Sequence, residues 1–132
     1  MSVLSLTLVH RPDLDLVIAR WPSETTPAEL RRDYLAIRTL ADETRCGRWL
    51  LDLRRRADVT EPLVNTWFGH EFMPSLRGRY AAPARLAFLV SPLRAQQPVV
   101  AVSAAGADCL VATFTEEAAA CHWLTADFNG LN

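Results

Sequence analysis

The residue pattern predicts one α/β domain over residues 1–132. A β-hairpin at the N-terminus should lead into a mainly parallel or mixed sheet of about five strands, with about four helices packed on it. Three observations predict this. The runs Arg48–Leu53 and Arg85–Ser91 are almost continuously apolar, as strands buried on both faces are. Segments with helix-start signals stand between and after such runs. The first twenty residues alternate in hydropathy around a Pro–Asp turn, the signature of a hairpin.

Composition supports an ordinary globular chain. Half of the 132 residues are hydrophobic, enough for a real core, and 22% are charged. The formal net charge of -1 gives no electrostatic reason to expect a nucleic-acid or anionic-membrane partner, since phosphate binding draws on a strong basic excess or patch. Met1-Ser2-Val3-Leu4-Ser5 lacks the basic and long apolar regions of a signal peptide. No apolar run approaches the roughly 20 residues that span a bilayer, so no integral membrane association is expected. The three cysteines, Cys46, Cys109 and Cys121, are odd in number and irregularly spaced, with no CxxC pair. Neither a disulfide framework nor a zinc site is expected, and reduced thiols point to the cytoplasm.

Along the chain, Ser2 to His10 alternates through Leu4, Leu6 and Leu8, as a half-buried strand does. Arg11-Pro12-Asp13 makes a turn, and Leu14 to Trp21 returns as a second strand with Leu14, Leu16 and Ile18 on one face. Thr26-Pro27-Ala28-Glu29 opens a helix: Thr26 caps, Pro27 suits the first helical position, and Glu29 completes a capping box. That helix should run to about Thr44, with Leu30, Tyr34, Ile37 and Ala41 on one face and Arg31, Arg38 and Asp42 on the other, ended by Cys46-Gly47. Arg48–Leu53 is a buried central strand, followed by a polar exit loop from Arg54 to Val59.

Thr60-Glu61-Pro62 opens a second helix that reaches Met73, where Pro74 breaks it. Leu63, Val64, Trp67 and Phe68 form one apolar face, and Phe72, Met73 and Leu76 continue around the cylinder, leaving only a wedge with Thr66 and His70 polar. A helix apolar on two sides packs against two things. The second contact is either the following loop or another subunit. The latter alternative makes Trp67, Phe68, Phe72 and Met73 candidate residues of a homodimer interface. Arg85–Ser91 is a further buried strand, stopped by Pro92. Residues 93–107 fit either a short helix opened by Pro98 and closed by Gly106, which we favour, or a strand. Cys109–Phe114 is the last strand. Thr115-Glu116-Glu117 caps a final helix with Ala120, Cys121, Leu124 and Phe128 on its buried face.

The closing run Phe114-Thr115-Glu116-Glu117-Ala118-Ala119-Ala120-Cys121-His122-Trp123-Leu124 resembles the closing motif of the SpoIIAA-like family, within the STAS/SEC14-like superfamily. Leu50-Leu51-Asp52-Leu53 is similar to the central STAS strand, an apolar run interrupted by Asp. The resemblance extends over nearly the whole chain in element order. It implies a small non-catalytic domain. STAS relatives act as phosphorylation-controlled switches in bacterial sigma-factor and stressosome signalling, or as nucleotide- or lipid-sensing modules. In the anti-sigma-factor antagonists the central strand leads into an Asp-Ser-Ser-Gly stretch carrying the phosphoacceptor. Here that stretch reads Arg54-Arg55-Arg56-Ala57-Asp58-Val59-Thr60, without Ser-Ser-Gly. Thr60 is the hydroxyl nearest the matching place, so a standard phospho-switch is not expected.

Arg54, Arg55 and Arg56 stand just past the carboxyl end of a parallel strand, the edge where open α/β sheets bind ligands. With Thr60 at the start of the next helix they are candidates for an anion, which helix-end amides also favour. The alternative is a solvated loop pairing with Asp58 and Glu61. Thr60 as phosphoacceptor competes with Thr60 as a plain cap. Asp52, inside an apolar run, needs partners, and orienting the arginine loop or holding backbone amides would supply them. His70 and Glu71 are adjacent on a helix and point about 100° apart. Cys121 reads as a core thiol. Trp21, Trp67 and Trp123 are core or interface aromatics. No catalytic motif, metal-ligand set or phosphate loop is present in the sequence, and no cofactor is implied. The expected function is a non-catalytic STAS-like regulatory or protein-interaction domain, homodimeric. The alternative is a module for a small anion or a lipid, with the ligand at the carboxyl edge near Arg54–Thr60.

Overall fold

The structure is a computed structural model and describes residues 6–22, 26–55, 67–92 and 109–126. Strands β1 (Thr7–Arg11) and β2 (Leu16–Arg20) form the expected antiparallel hairpin, with Val9 opposite Ile18. Its turn is closed by hydrogen bonds from Leu14 N to Arg11 O (3.1 Å) and Asp15 N to Pro12 O (3.3 Å). Asp15 sits in the left-handed region at φ 55, a conformation Asp tolerates because its short side chain bonds locally. Leu14, expected in the strand, therefore belongs to the exposed turn. Leu16 to Ala19 are all buried, so β2 is covered on both faces rather than one.

The reason is its place in the sheet. The order is β1-β2-β3-β4-β5, with β3 spanning Arg48–Asp52, β4 Ala84–Leu89 and β5 Cys109–Phe114. β2 to β5 run parallel, with Ile18 level with Leu50, Leu50 with Ala87, and Ala87 with Ala112. The sheet is thus mixed: four parallel strands and one antiparallel edge. Side chains alternate between two layers, as the period of two requires. Val17, Ala19, Trp49, Leu51 and Leu86 face one core, while Leu16, Ile18, Leu50, Ala87 and Leu89 face the other.

Helix α1 (Pro27–Thr44) covers the first core with Leu30, Tyr34, Ile37 and Ala41, the face read from the sequence. Its capping box is present: Glu29 N donates to Thr26 Oγ1 (3.2 Å) and Thr26 N donates to the Glu29 carboxylate (2.8 Å). The C-terminus closes differently from expectation. Arg45, not Gly47, takes the left-handed position, and Cys46 N donates to Ala41 O (3.0 Å), a Schellman closure with buried Cys46 against buried Ala41.

The described end of the second predicted helix is a π-helical turn over Phe68–Phe72, followed by a tight turn over Pro74–Leu76. Met73 N donates to Phe68 O (2.9 Å), the wide i to i+5 bond, directly before Pro74, which has no N–H to continue an α-helix. Phe68, Phe72, Met73 and Leu76 are buried in the first core. Tyr34 and Phe68 lie 4.8 Å apart, Phe68 and Phe72 5.4 Å, and Trp49 and Phe72 6.0 Å between ring centroids. The described residues of the doubly apolar pattern thus pack largely inside the chain. Three of the four residues assigned to a dimer face, Phe68, Phe72 and Met73, have no surface to offer, and only Trp67 is half-buried.

Helix α2 (Glu117–Thr125) covers the second face with Ala120 and Leu124, and Cys121 and Trp123 pack partly beside them. Thr115 does not cap it; the cap position is Glu116, with no side-chain hydrogen bond. The described residues hold helical structure at three of the four expected places: α1, the 68–76 turns and α2. The helix-or-strand question at 93–107 and the partner position Phe128 lie outside the described residues.

Candidate functional site

β2 and β3 each end in a charged residue, and their parallel register sets those two residues, Arg20 and Asp52, side by side at the carboxyl edge. β5 then turns into α2, whose first residue, Glu117, arrives at the same edge. The three meet Arg54 just after β3. Arg20 Nη1 donates to Asp52 Oδ2 (2.7 Å) and to Glu117 Oε1 (2.8 Å), and its Nη2 donates to Glu117 Oε2 (3.0 Å). Arg54 forks onto the other carboxylate: Nε to Asp52 Oδ1 (3.0 Å) and Nη2 to Asp52 Oδ2 (2.9 Å), with a longer bond to Glu117 Oε1 (3.3 Å). The Arg54 backbone N–H also donates to Asp52 Oδ1 (3.1 Å), which turns the chain as it leaves the strand. Asp52 thus both orients Arg54 and holds its backbone amide.

The electrostatics follow the geometry. Burial works to raise the Asp52 carboxyl, but the bonds from Arg54 and Arg20 outweigh it and hold the group below the usual carboxylate range. Arg20 does the same for Glu117 against a smaller desolvation. In return Glu117 and Asp52 raise Arg20, and Asp52 raises Arg54. Two guanidiniums and two carboxylates neutralise one another, largely through bidentate forks.

Of the arginines predicted to hold an anion, Arg54 stands at the carboxyl edge as expected but directs its guanidinium at Asp52 and Glu117. Arg55 is exposed beside it and makes no ion pair with a described residue. Arg56 and Thr60 lie outside the described residues. His70 and Glu71 are exposed. Burial raises the Cys121 thiol, in keeping with a packing role. Among the described residues no three His, Cys, Asp or Glu side chains gather as a metal site, and no helix is long and apolar enough to cross a membrane.

Sequence reasoning missed Arg20 and Glu117, which lie 97 positions apart. The usable signal was a charged residue closing each of two apolar strands, since parallel pairing of such strands brings their ends together. It also missed Arg85. This buried residue on β4 donates from Nη1 to Leu124 O (3.1 Å) and to Ala126 O, holding the carboxyl end of α2 where helix carbonyls and the dipole favour a cation. A second unforeseen feature is an open cleft of ≈ 420 Å³ at the opposite, amino edge of the sheet, lined by Asp42, Arg45, Arg79, Tyr80 and Ala81.

Comparison of the chain with family models, curated proteins and solved structures finds no match in any of the three.

Proposed function

We propose that the chain is a non-catalytic, STAS-like regulatory or protein-interaction domain that presents the carboxyl edge of its sheet to a partner. The observation that carries this reading is the saturated ion network at the ends of β2 and β3. Its four groups satisfy one another, so they set a neutral platform and leave the adjacent Arg55 as an exposed charge outside the network. Such a platform suits recognition better than proton or group transfer, which needs a group free to accept or release a proton. The hairpin followed by parallel strands in sequential order agrees with the SpoIIAA-like resemblance. In the alternative, an anion or lipid at the carboxyl edge near Arg54–Thr60, Arg54 is already engaged by the same network. Of the four candidate dimer residues Trp67 alone keeps exposed surface, because its three companions are inside the core.

The test compares wild type with Arg55→Glu in cross-linking capture from the source cell, with Arg45→Glu at the opposite edge as control. The expected result is a partner protein cross-linked near residues 52–55 that Arg55→Glu loses and Arg45→Glu keeps. Capture indifferent to Arg55, or turnover of a small substrate at this edge, overturns the reading. Sedimentation at micromolar concentration addresses the homodimer: a monomer removes that part, and a dimer broken by Trp67→Ala supports it.

A further inference from the structure

The cleft at the amino edge is built from α1's closure and the segment leading into β4. Tyr80 lies across Gly47, and a Cβ at Gly47 would stand 3.0 Å from its ring carbons, so any larger residue there would push the ring back by a few tenths of an ångström. The ring also meets the edge of Trp49 at 6.4 Å, and its hydroxyl donates to Asp42 Oδ1 (3.2 Å). Burial, reinforced by Asp42, pushes the phenol up, so it stays protonated as that donor. Arg79 is fixed as well: Nε donates to Ser75 O (2.6 Å) and Nη1 to Asp42 Oδ2 (2.6 Å). The floor and one wall of the cleft are therefore held in place before any ligand arrives.

Arg45 is the member that this internal bonding does not explain. It occupies the left-handed C′ position of a Schellman closure at φ 56, where glycine is the usual residue and a side chain is strained. It is exposed and makes no ion pair with a described residue, while Asp42 is already neutralised by Arg79. The cleft thus carries one surplus positive charge, on a residue kept at a cost in backbone strain. Strain tolerated at one residue is a pointer to function.

We propose that this cleft binds a small oxyanion, a carboxylate or a phosphate group, with Arg45 as the primary ligand and the remaining N–H of Arg79 as the second. A guanidinium fork matches the paired oxygens of either group. The site lies at the opposite end of the sheet from the edge assigned to partner binding, so the two readings stand or fall separately.

The experiment titrates the ¹⁵N-labelled full chain with inorganic phosphate and, in a separate arm, acetate, at constant ionic strength, with chloride as control. The expected result is saturable shifts of the amides at 45 and 79–81 below about 50 mM in one or both arms, the tighter arm naming the group. Arg45→Gly should weaken that binding at least about tenfold, the loss of one charge-assisted contact, while Arg45→Lys should lose less, keeping the charge but not the fork. The same Arg45→Gly should melt about 3 °C higher, because glycine relieves the left-handed strain. Binding unchanged in Arg45→Gly, no saturable shift with either probe, or an equal response to chloride overturns the proposal. So does an Arg45→Gly protein that melts lower than wild type, since the strain argument then fails.

Discussion

The two faces of the sheet are held by different forces. On one face α1 and the 68–76 turns bring Tyr34, Phe68 and Phe72 onto Trp49 and Leu51, a layer of interlocking aromatic rings. On the other face, among the described residues, the nine-residue helix α2 buries only Ala120 and Leu124 fully. What α2 lacks in apolar volume is supplied at its ends: Glu117 is tied to Arg20 and Arg54 at one, and Arg85 holds the last carbonyls at the other. Apolar burial responds little to moderate sodium chloride or mild acid, whereas ion pairs and charge-assisted bonds are sensitive to both. One domain thus carries a cover that ordinary solution conditions leave alone and a second cover that they address directly.

The largest expected effect falls on the aromatic face. Phe72 is 1% exposed and touches Tyr34, Trp49, Trp67 and Phe68, with the Arg38 guanidinium 5.6 Å above its ring. Phe72→Ala should cost about 4 kcal/mol through lost transfer energy and the cavity left behind. Urea unfolding checks the value. The loss should be nearly the same at low and high salt, because the Arg38 contact with the ring is the one charged interaction removed. A strong salt dependence would mean that the two faces are not held as differently as the geometry indicates.

The aromatic face was also the more legible one in the sequence. The period of Leu30, Tyr34, Ile37 and Ala41 gave the buried side of α1, and the runs Arg48–Leu53 and Cys109–Phe114 gave the strands nearly residue for residue. Apolar periodicity reports burial locally, so a window of a few residues suffices. The charged clamp was not legible, because it joins Arg20, Asp52 and Glu117 through tertiary register, and each alone reads as an ordinary surface charge or helix-start acid. The helix from Thr60 misled for a related reason. Apolar residues on two sides specify two contacts but not whose, and here the chain's own core takes Phe68, Phe72 and Met73. Arg45 escaped notice because Gly47, two positions later, offered the usual stop signal and proved to serve Tyr80 instead.

A middle-sized effect should come from the buried end of the clamp. Asp52 accepts from Arg20, from the Arg54 guanidinium and from the Arg54 backbone. Asp52→Asn keeps an acceptor for the backbone amide but loses the charge-assisted fork from Arg54 and the single charged bond from Arg20, at about 2 kcal/mol. The pH dependence has a definite sign. Asp52 and Glu117 have depressed folded values, so their contribution is present in full above the ordinary carboxylate range, that is above pH about 5. It is lost progressively as pH falls below about 4, when the unfolded chain takes up protons that the folded one still refuses. A denaturant series from pH 7 to 3 should therefore show a smaller acid slope in Asp52→Asn than in wild type. In Phe72→Ala the slope should match wild type.

The smallest expected effect isolates α2 itself. Glu117→Gln keeps the shape of the side chain and removes its charge from Arg20 and Arg54, both of which reach water and can be solvated there. The cost should be about 0.5–1 kcal/mol at low salt and should shrink toward zero at high salt, as for partly exposed pairs. Global stability is a blunt readout for so small a change, and amide hydrogen exchange is the sharper one. Opening that detaches α2 alone exposes its amides without unfolding the sheet. Exchange at Cys121 to Thr125 should therefore accelerate in Glu117→Gln while amides of α1 keep their wild-type rates. Equal acceleration in both helices would show that α2 cannot detach by itself, and that its charged clamp shares one cooperative unit with the aromatic core.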